Sequence, residues 1–122
     1  MEVQVFGVKK SADTRKALRF FSERRVRTHF VDLGERSAAS GELKRFAQRY
    51  GIDSLIDRES RAFAELGLRH ATFSEERWLD KLVEEPLMLR MPLVRQIGKG
   101  AKGLTIGLAE EEWRRWLTAW TE

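Results

Sequence analysis

Residues 3–17 read VQVFGVKKSADTRKA, and the interpretation of the whole chain begins from this stretch. An apolar segment with strand character, residues 3–6, runs through a tight basic loop into a helix that opens at Ser11. A side chain at that position lies among unpaired backbone N–H groups, at the positive end of the helix dipole. A cysteine there would be an activated thiolate, but the chain contains no cysteine. Thiol redox chemistry of its own is therefore not available to this chain.

Length and composition are those of a single folded domain. The chain has 122 residues, of which 42% are hydrophobic and 34% charged, enough for one core. Its apolar runs are only a few residues long, far below the roughly 20 that cross a bilayer. No signal peptide is recognisable, because Glu2 and the polar residues after Phe6 interrupt the N-terminal apolar stretch. We therefore expect a cytoplasmic protein with no membrane partner.

The net charge of +4 is modest but unevenly distributed. Residues 3–12 and residues 87–109 contain basic side chains and no acidic ones. The basic residues of these two segments are Lys9, Lys10, Arg90, Arg95, Lys99 and Lys102. No aromatic residues alternate with them, so the charges favour solubility, and direct nucleic-acid binding is not predicted.

The first third of the chain has the pattern of a strand–helix–strand unit. Apolar positions Ala17, Phe20 and Phe21 follow helical spacing, and residues 28–33 then have strand character. A unit of about 30 residues with this order favours a right-handed crossover and two parallel strands.

The rest of the chain is a helical middle followed by a hairpin and a helix. Ser40 is a predicted N-cap in the middle, and strands are predicted near residues 93–97 and 104–107. The closing helix spaces three tryptophans for packing on the sheet, although an exposed Trp120 would instead indicate a protein interface. The order βαβ, helical insertion at about residues 38–85, then ββα predicts an α/β thioredoxin-like fold. We expect one domain over residues 1–122, with a mixed four-stranded sheet.

A proline precedes the third predicted strand. In a sheet of this kind, the N-terminal end of the first helix faces the loop before that strand. Pro92 lies in this loop, where a proline can take a cis peptide bond. The two acid-free segments would then meet at one site.

Five motifs spread over almost the whole chain form a further pattern. They are FGVK at residues 6–9, SxxTRKA at 11–17, FAELGL at 63–68, EPLMLRMPL at 85–93, and IG at 106–107 with EEEW at 110–113. In order and spacing they resemble the arsenate reductase/Spx (ArsC/Spx) family of thioredoxin-fold proteins.

The resemblance implies roles for particular positions. The family's nucleophilic cysteine falls on Ser11, and the second cysteine of its redox-switch members falls on Thr14. Two oxyanion-holding arginines are retained as Arg15 and Arg90, whose forked guanidinium groups suit a tetrahedral anion. A further family arginine has two candidate positions. They are Arg58 and Arg61.

In arsenate reductases of this family the cysteine attacks arsenate, and glutathione with glutaredoxin completes the cycle. In the Spx branch the cysteine pair is a redox switch, and the protein binds RNA polymerase. The resemblance therefore implies a protein partner, RNA polymerase, and a small oxyanion as ligand.

The departure from the family lies at the thiol. A serine hydroxyl ionises far above the roughly 8.5 of a free thiol, and no base is evident beside Ser11. His29 and His70 lie elsewhere in the sequence, and two isolated histidines without cysteine provide no metal-ligand set. We predict a non-catalytic binding or regulatory module with a residual oxyanion site formed by Ser11, Arg15 and Arg90, without cofactor or metal.

Two alternatives stay open. Serine is also a favoured N-cap residue, so Ser11 can act as a helix cap alone. The chain can also represent a Cys-to-Ser form of an arsenate-reductase-like, glutaredoxin-linked oxidoreductase.

Overall fold

The computed structural model describes residues 1–121, which form two compact units. The first unit comprises Met1–Leu33 together with the chain from Met91 onward, and the second is Gly34–Arg90. The helical insertion predicted at about residues 38–85 lies inside the second unit. That residues 1–122 form a single domain stays a prediction.

The first unit contains a mixed four-stranded sheet. Its strands are β1 (Glu2–Gly7), β2 (Arg27–Asp32), β3 (Leu93–Ile97) and β4 (Leu104–Ile106), in the order β2-β1-β3-β4. β1 pairs with β2 in parallel and with β3 antiparallel, and β3 and β4 form an antiparallel hairpin. This is the sheet that the sequence predicted for an α/β thioredoxin-like fold, and the prediction is confirmed.

Within residues 1–121 the chain forms five α-helices. They are α1 (Ala12–Glu23), α2 (Ser40–Tyr50), α3 (Arg61–Glu65), α4 (Glu75–Glu84) and α5 (Glu110–Thr121), with 3₁₀ turns at Ile52–Leu55 and Pro86–Met88. The N-cap of α2 is Ala39, so the prediction of Ser40 is wrong by one position. The Ala39 N–H donates to the Glu42 carboxylate at 2.9 Å. The Glu42 side chain thus closes the first turn.

The core of the first unit is aromatic. Trp113 on α5 is fully buried, with its ring centroid 4.8 Å from that of Phe21 and 5.3 Å from that of Phe20 on α1. Its indole Nε1–H donates to the hydroxyl of Thr105 on β4 at 2.8 Å. The polar atom of the largest core residue is therefore satisfied, and the bond joins α5 to the sheet.

In the second unit, backbone hydrogen bonds hold the segment that leads to Arg90. The Asp57 N–H donates to the Met88 carbonyl, and the Arg90 N–H donates to the Leu55 carbonyl, both at 2.8 Å. These bonds fix the main chain of Arg90, whose side chain is exposed.

Candidate functional site

The opening of α1 is capped by the side chain of Ser11. Ser11 has an extended backbone, and its Oγ accepts a hydrogen bond from the Thr14 N–H at 3.2 Å. One of the donors that a helix leaves unpaired at its N-terminus is thereby satisfied. The Ser11 hydroxyl, which the family resemblance predicts at the nucleophile position, is thus an acceptor in a helix cap.

Directly behind this cap, Thr14 packs against the end of β1. A Cβ on Gly7 would lie 2.4 Å from the Thr14 Oγ1, so this approach requires glycine. Thr14 is fully buried, and its Oγ1 has no hydrogen-bond partner within residues 1–121. Burial of an unpaired hydroxyl costs about 1–3 kcal/mol. Thr14, which the family resemblance predicts at a second cysteine position, therefore carries a buried hydroxyl without a hydrogen bond among the described residues.

The Arg15 side chain is hydrogen-bonded to the loop before α1. Its Nη1 donates to the Lys9 carbonyl oxygen at 2.6 Å, a bond that uses one of the five guanidinium N–H donors. The Lys9 ammonium lies 3.8 Å from the Asp32 carboxylate at the end of β2. The exposed Arg15 head group is therefore held beside the helix opening.

Two carboxylates near this opening were missed in the sequence analysis. Asp13 lies in the first turn of α1, where its negative charge interacts with the helix dipole as a bound anion would. Asp32 faces Lys9 because β1 and β2 are parallel and their carboxyl ends share one edge. The predicted parallel pairing was the signal that could have identified Asp32.

The other residues predicted for the site lie further along the chain. The Met91–Pro92 peptide bond is cis, and the buried Pro92 accepts a hydrogen bond from the Gly107 N–H at 2.8 Å. Ser11, Thr14, Arg15 and Pro92 belong to the first unit, whereas Arg90 is the last residue of the second. A joint oxyanion site of Ser11, Arg15 and Arg90 stays a prediction.

The two candidates for the further family arginine differ in surroundings. Arg58 forms an ion pair with Asp53 at 3.1 Å, and its guanidinium carbon lies 5.5 Å from the Phe63 ring centroid and 5.7 Å from that of Trp78. The Arg61 side chain is 91% exposed and pairs with Glu65 one turn along α3. Only Arg58 is positioned by aromatic packing.

The histidine of the first unit is engaged at the other end of the strand pair. His29 stands opposite Gln4 in the sheet register, and its Nε2 lies 2.8 Å from the Glu2 carboxylate. This hydrogen bond lowers the pKa of Glu2 below its usual value. Across residues 1–121, three or more His, Cys, Asp and Glu side chains nowhere gather as a metal site would require. No helix in the same range is long and apolar enough to cross a bilayer.

The fold defines a thioredoxin-like α/β protein, and its sequence contains no cysteine. The sequence model of the ArsC family matches residues 6–116, so the chain belongs to the ArsC family. Among curated proteins, none matches this chain.

Solved structures share the fold. The YffB protein is 18% identical with a TM-score of 0.81, over 93% of this chain and 96% of that one. An arsenate reductase from Vibrio cholerae is 20% identical with a TM-score of 0.76, over 94% and 97% of the two chains. An arsenate reductase-related protein from Brucella melitensis is 19% identical with a TM-score of 0.67, over 96% and 95%. These likenesses confirm the predicted fold.

Proposed function

We propose that this ArsC-family protein is a non-catalytic binding or regulatory module of the cytoplasm that holds a small oxyanion at the opening of α1. The observation that carries the proposal is Ser11, which caps the helix through its hydroxyl and which the family resemblance assigns to the nucleophile position. The ligand would meet the first-turn N–H groups of α1 and the guanidinium groups of Arg15 and Arg90.

The chemistry of serine favours binding over turnover. Reduction of arsenate through a family thiol needs a nucleophile that is ionised near neutral pH and can then pass into a disulfide. Ser11 can do neither, and the His29 ring is engaged by Glu2. The anion-binding features of the opening do not depend on sulfur, so binding can persist without reduction.

Calorimetric titration with arsenate, phosphate and sulfate tests the oxyanion site. Arg15→Ala or Arg90→Ala should each weaken binding about tenfold, the loss of one charge-assisted hydrogen bond. Arg19→Ala, an exposed arginine one turn further along α1, is the matched control and should leave the affinity unchanged. Absence of binding, or equal losses in all three variants, would contradict the site.

Asp13 supplies a second, opposite test of the same site. Asp13→Asn removes the carboxylate that competes for the helix N-terminus, so affinity for the anion should rise about two- to fivefold. The gain should shrink as salt is added. An unchanged affinity would place the anion elsewhere on the molecule.

The alternative function is an arsenate-reductase-like oxidoreductase that requires cysteine at position 11. Arsenate reduction with glutathione and glutaredoxin should be absent in the chain as it stands. Activity in Ser11→Cys alone would show that only the thiol is missing. Activity in the unmodified chain would refute the non-catalytic proposal.

The protein partner that the Spx resemblance implies is RNA polymerase. We expect a stoichiometric complex when the protein and purified RNA polymerase of the source organism are passed together over a size-exclusion column. Failure to co-elute would remove this partner and leave the oxyanion site to be judged by the titrations above.

A further inference from the structure

A groove lies within the first unit between the β3–β4 turn and the C-terminal half of α5. Its volume is about 510 Å³, enough for a few large side chains. The apolar side chains of its lining are Met1, Ile97, Ala101, Trp116, Ala119 and Trp120. The groove is separate from the opening of α1, and the inference drawn from it does not rest on the proposed oxyanion site.

One wall of the groove is fixed by close packing. Trp116 is 8% exposed, and its ring approaches Gly103 so closely that a Cβ there would lie 2.5 Å from Cζ2. Its indole Nε1–H donates to the Glu112 carboxylate at 3.2 Å. Trp116 therefore presents a preformed apolar surface whose orientation binding need not organise.

The opposite rim is a tryptophan that packing leaves in solvent. Trp120 follows Trp116 by one helical turn on the same side of α5, yet it is 63% exposed. A large aromatic side chain at the mouth of a preformed apolar groove is typical of the anchor residues of protein interfaces. An exposed Trp120 is also the feature by which the sequence indicates a protein interface.

The charged residues that line the groove indicate which kind of partner it would bind. The charged side chains among the described lining residues are Lys99 and Arg115, both cationic, and no carboxylate lines the groove within residues 1–121. Arg115 donates to the Glu112 carboxylate at 2.6 Å, which offsets its charge, so Lys99 supplies the positive charge at the rim. A complementary surface is apolar at its centre and acidic around it.

We propose that this groove binds an acidic polypeptide segment by inserting one large apolar side chain between Trp116 and Trp120. An acidic residue beside that anchor would then meet Lys99. A polypeptide fits better than a nucleic acid. Trp116 is buried, so among the described residues Trp120 alone offers an exposed indole ring in this groove, and single-stranded nucleic acids bind by stacking successive bases on several aromatic rings. The groove is open to solvent, whereas small molecules typically bind in enclosed pockets. This geometry therefore also favours a segment of a protein.

Peptides of the form Gly-Glu-Glu-X-Glu-Glu-Gly, with Trp, Leu or Ser at X, test the proposal. The readout is the NMR signal of the Trp120 indole N–H and of the Lys99 amide, titrated to about 1 mM peptide. The Trp and Leu peptides should shift both signals, and the Ser peptide should shift them at least about tenfold more weakly.

Variants decide whether the groove is the site. Trp120→Ala and Lys99→Glu should each lower the affinity about tenfold, while Lys44→Glu, an exposed lysine of the second unit, should not. Unchanged circular dichroism and melting temperature show that each variant is folded.

Three results would overturn the proposal. They are equal binding of the Ser peptide, no response to the Trp and Leu peptides, and tighter binding of oligo-dT or anionic vesicles at Trp120. The first result would show that the peptides bind through charge alone, without an apolar anchor. The third would show that the groove binds a nucleic acid or a membrane. None of them bears on the anion titrations, so the two proposals fail separately.

Discussion

Two buried threonine side chains of the first unit lie in opposite surroundings. Thr105 on β4 accepts a hydrogen bond from the Trp113 indole, whereas Thr14 in α1 has no hydroxyl partner within residues 1–121. The Thr105 hydroxyl joins α5 to the sheet through this bond. Burial of the Thr14 hydroxyl costs desolvation free energy that no hydrogen bond among the described residues offsets. The contrast separates a buried hydroxyl that helps to pack α5 on the sheet from one that is buried without a hydrogen bond among the described residues.

The largest effect should come from the packed region. Trp113→Ala removes the fully buried ring between Phe20 and Phe21 and should lower the free energy of unfolding by about 3–5 kcal/mol. Urea denaturation followed by circular dichroism measures the loss. Trp120→Ala, on the exposed part of the same helix, is the control, with an expected change within about 0.5 kcal/mol. Equal losses in the two variants would contradict the assigned core.

Crowding around Thr14 can be tested through Gly7. Gly7→Ala places a methyl group against the Thr14 side chain and should cost about 1–3 kcal/mol in urea denaturation. The same change in a Thr14→Ala background should cost about 1 kcal/mol less, because the clashing atoms Oγ1 and Cγ2 are gone. Additive losses would show that the strain arises elsewhere in the loop.

The comparison itself is sharpened by the same substitution at both threonines. Thr105→Val leaves the Trp113 indole N–H unpaired and should lower the free energy of unfolding by about 1–3 kcal/mol. Thr14→Val removes an unpaired hydroxyl at nearly constant volume and should raise that free energy by up to about 1 kcal/mol. Thermal and urea unfolding of the matched pair measure both signs. A loss on Thr14→Val would show that this hydroxyl has a hydrogen-bonding role.

The smallest effect belongs to a hydrogen bond at the protein surface, between Glu2 and His29. The hydrogen bond from His29 lowers the pKa of Glu2 from its usual 4.5. A lowered carboxyl pKa contributes stability above pH 4.5, and this contribution is lost as pH falls through the folded-state value. NMR titration should give a Glu2 midpoint below 4.5, and His29→Ala should raise it toward 4.5. An unmoved midpoint would exclude His29 as the cause.

Local sequence patterns were sufficient for the framework of the first unit. The strand, loop and helix from β1 through α1 were predictable because apolar periodicity and the N-cap at Ser11 are properties of adjacent residues. The hairpin of β3 and β4 and the span of α5 followed for the same reason. The N-cap at Ser40 was misplaced because a capping contact from Glu42 depends on side-chain geometry that residue type alone does not determine.

Long-range contacts explain what remained out of reach. That Arg58 rather than Arg61 is positioned by aromatic packing depends on Trp78, which is 20 residues from Arg58 in sequence. The three tryptophans of α5 share one helical spacing, but only Trp113 and Trp116 are buried. Periodicity identifies a face of a helix and contains no information about where the surface that covers it ends.

The sequence by itself determined the family, the order of strands and helices, and the absence of cysteine, because each follows from residue types, from neighbouring residues or from motif spacing. Only the tertiary structure decided that Thr14 is buried without a hydroxyl partner among the described residues, and that Trp120 borders a groove. Burial and hydrogen bonding depend on which distant segments pack together, and that is a property of the folded chain.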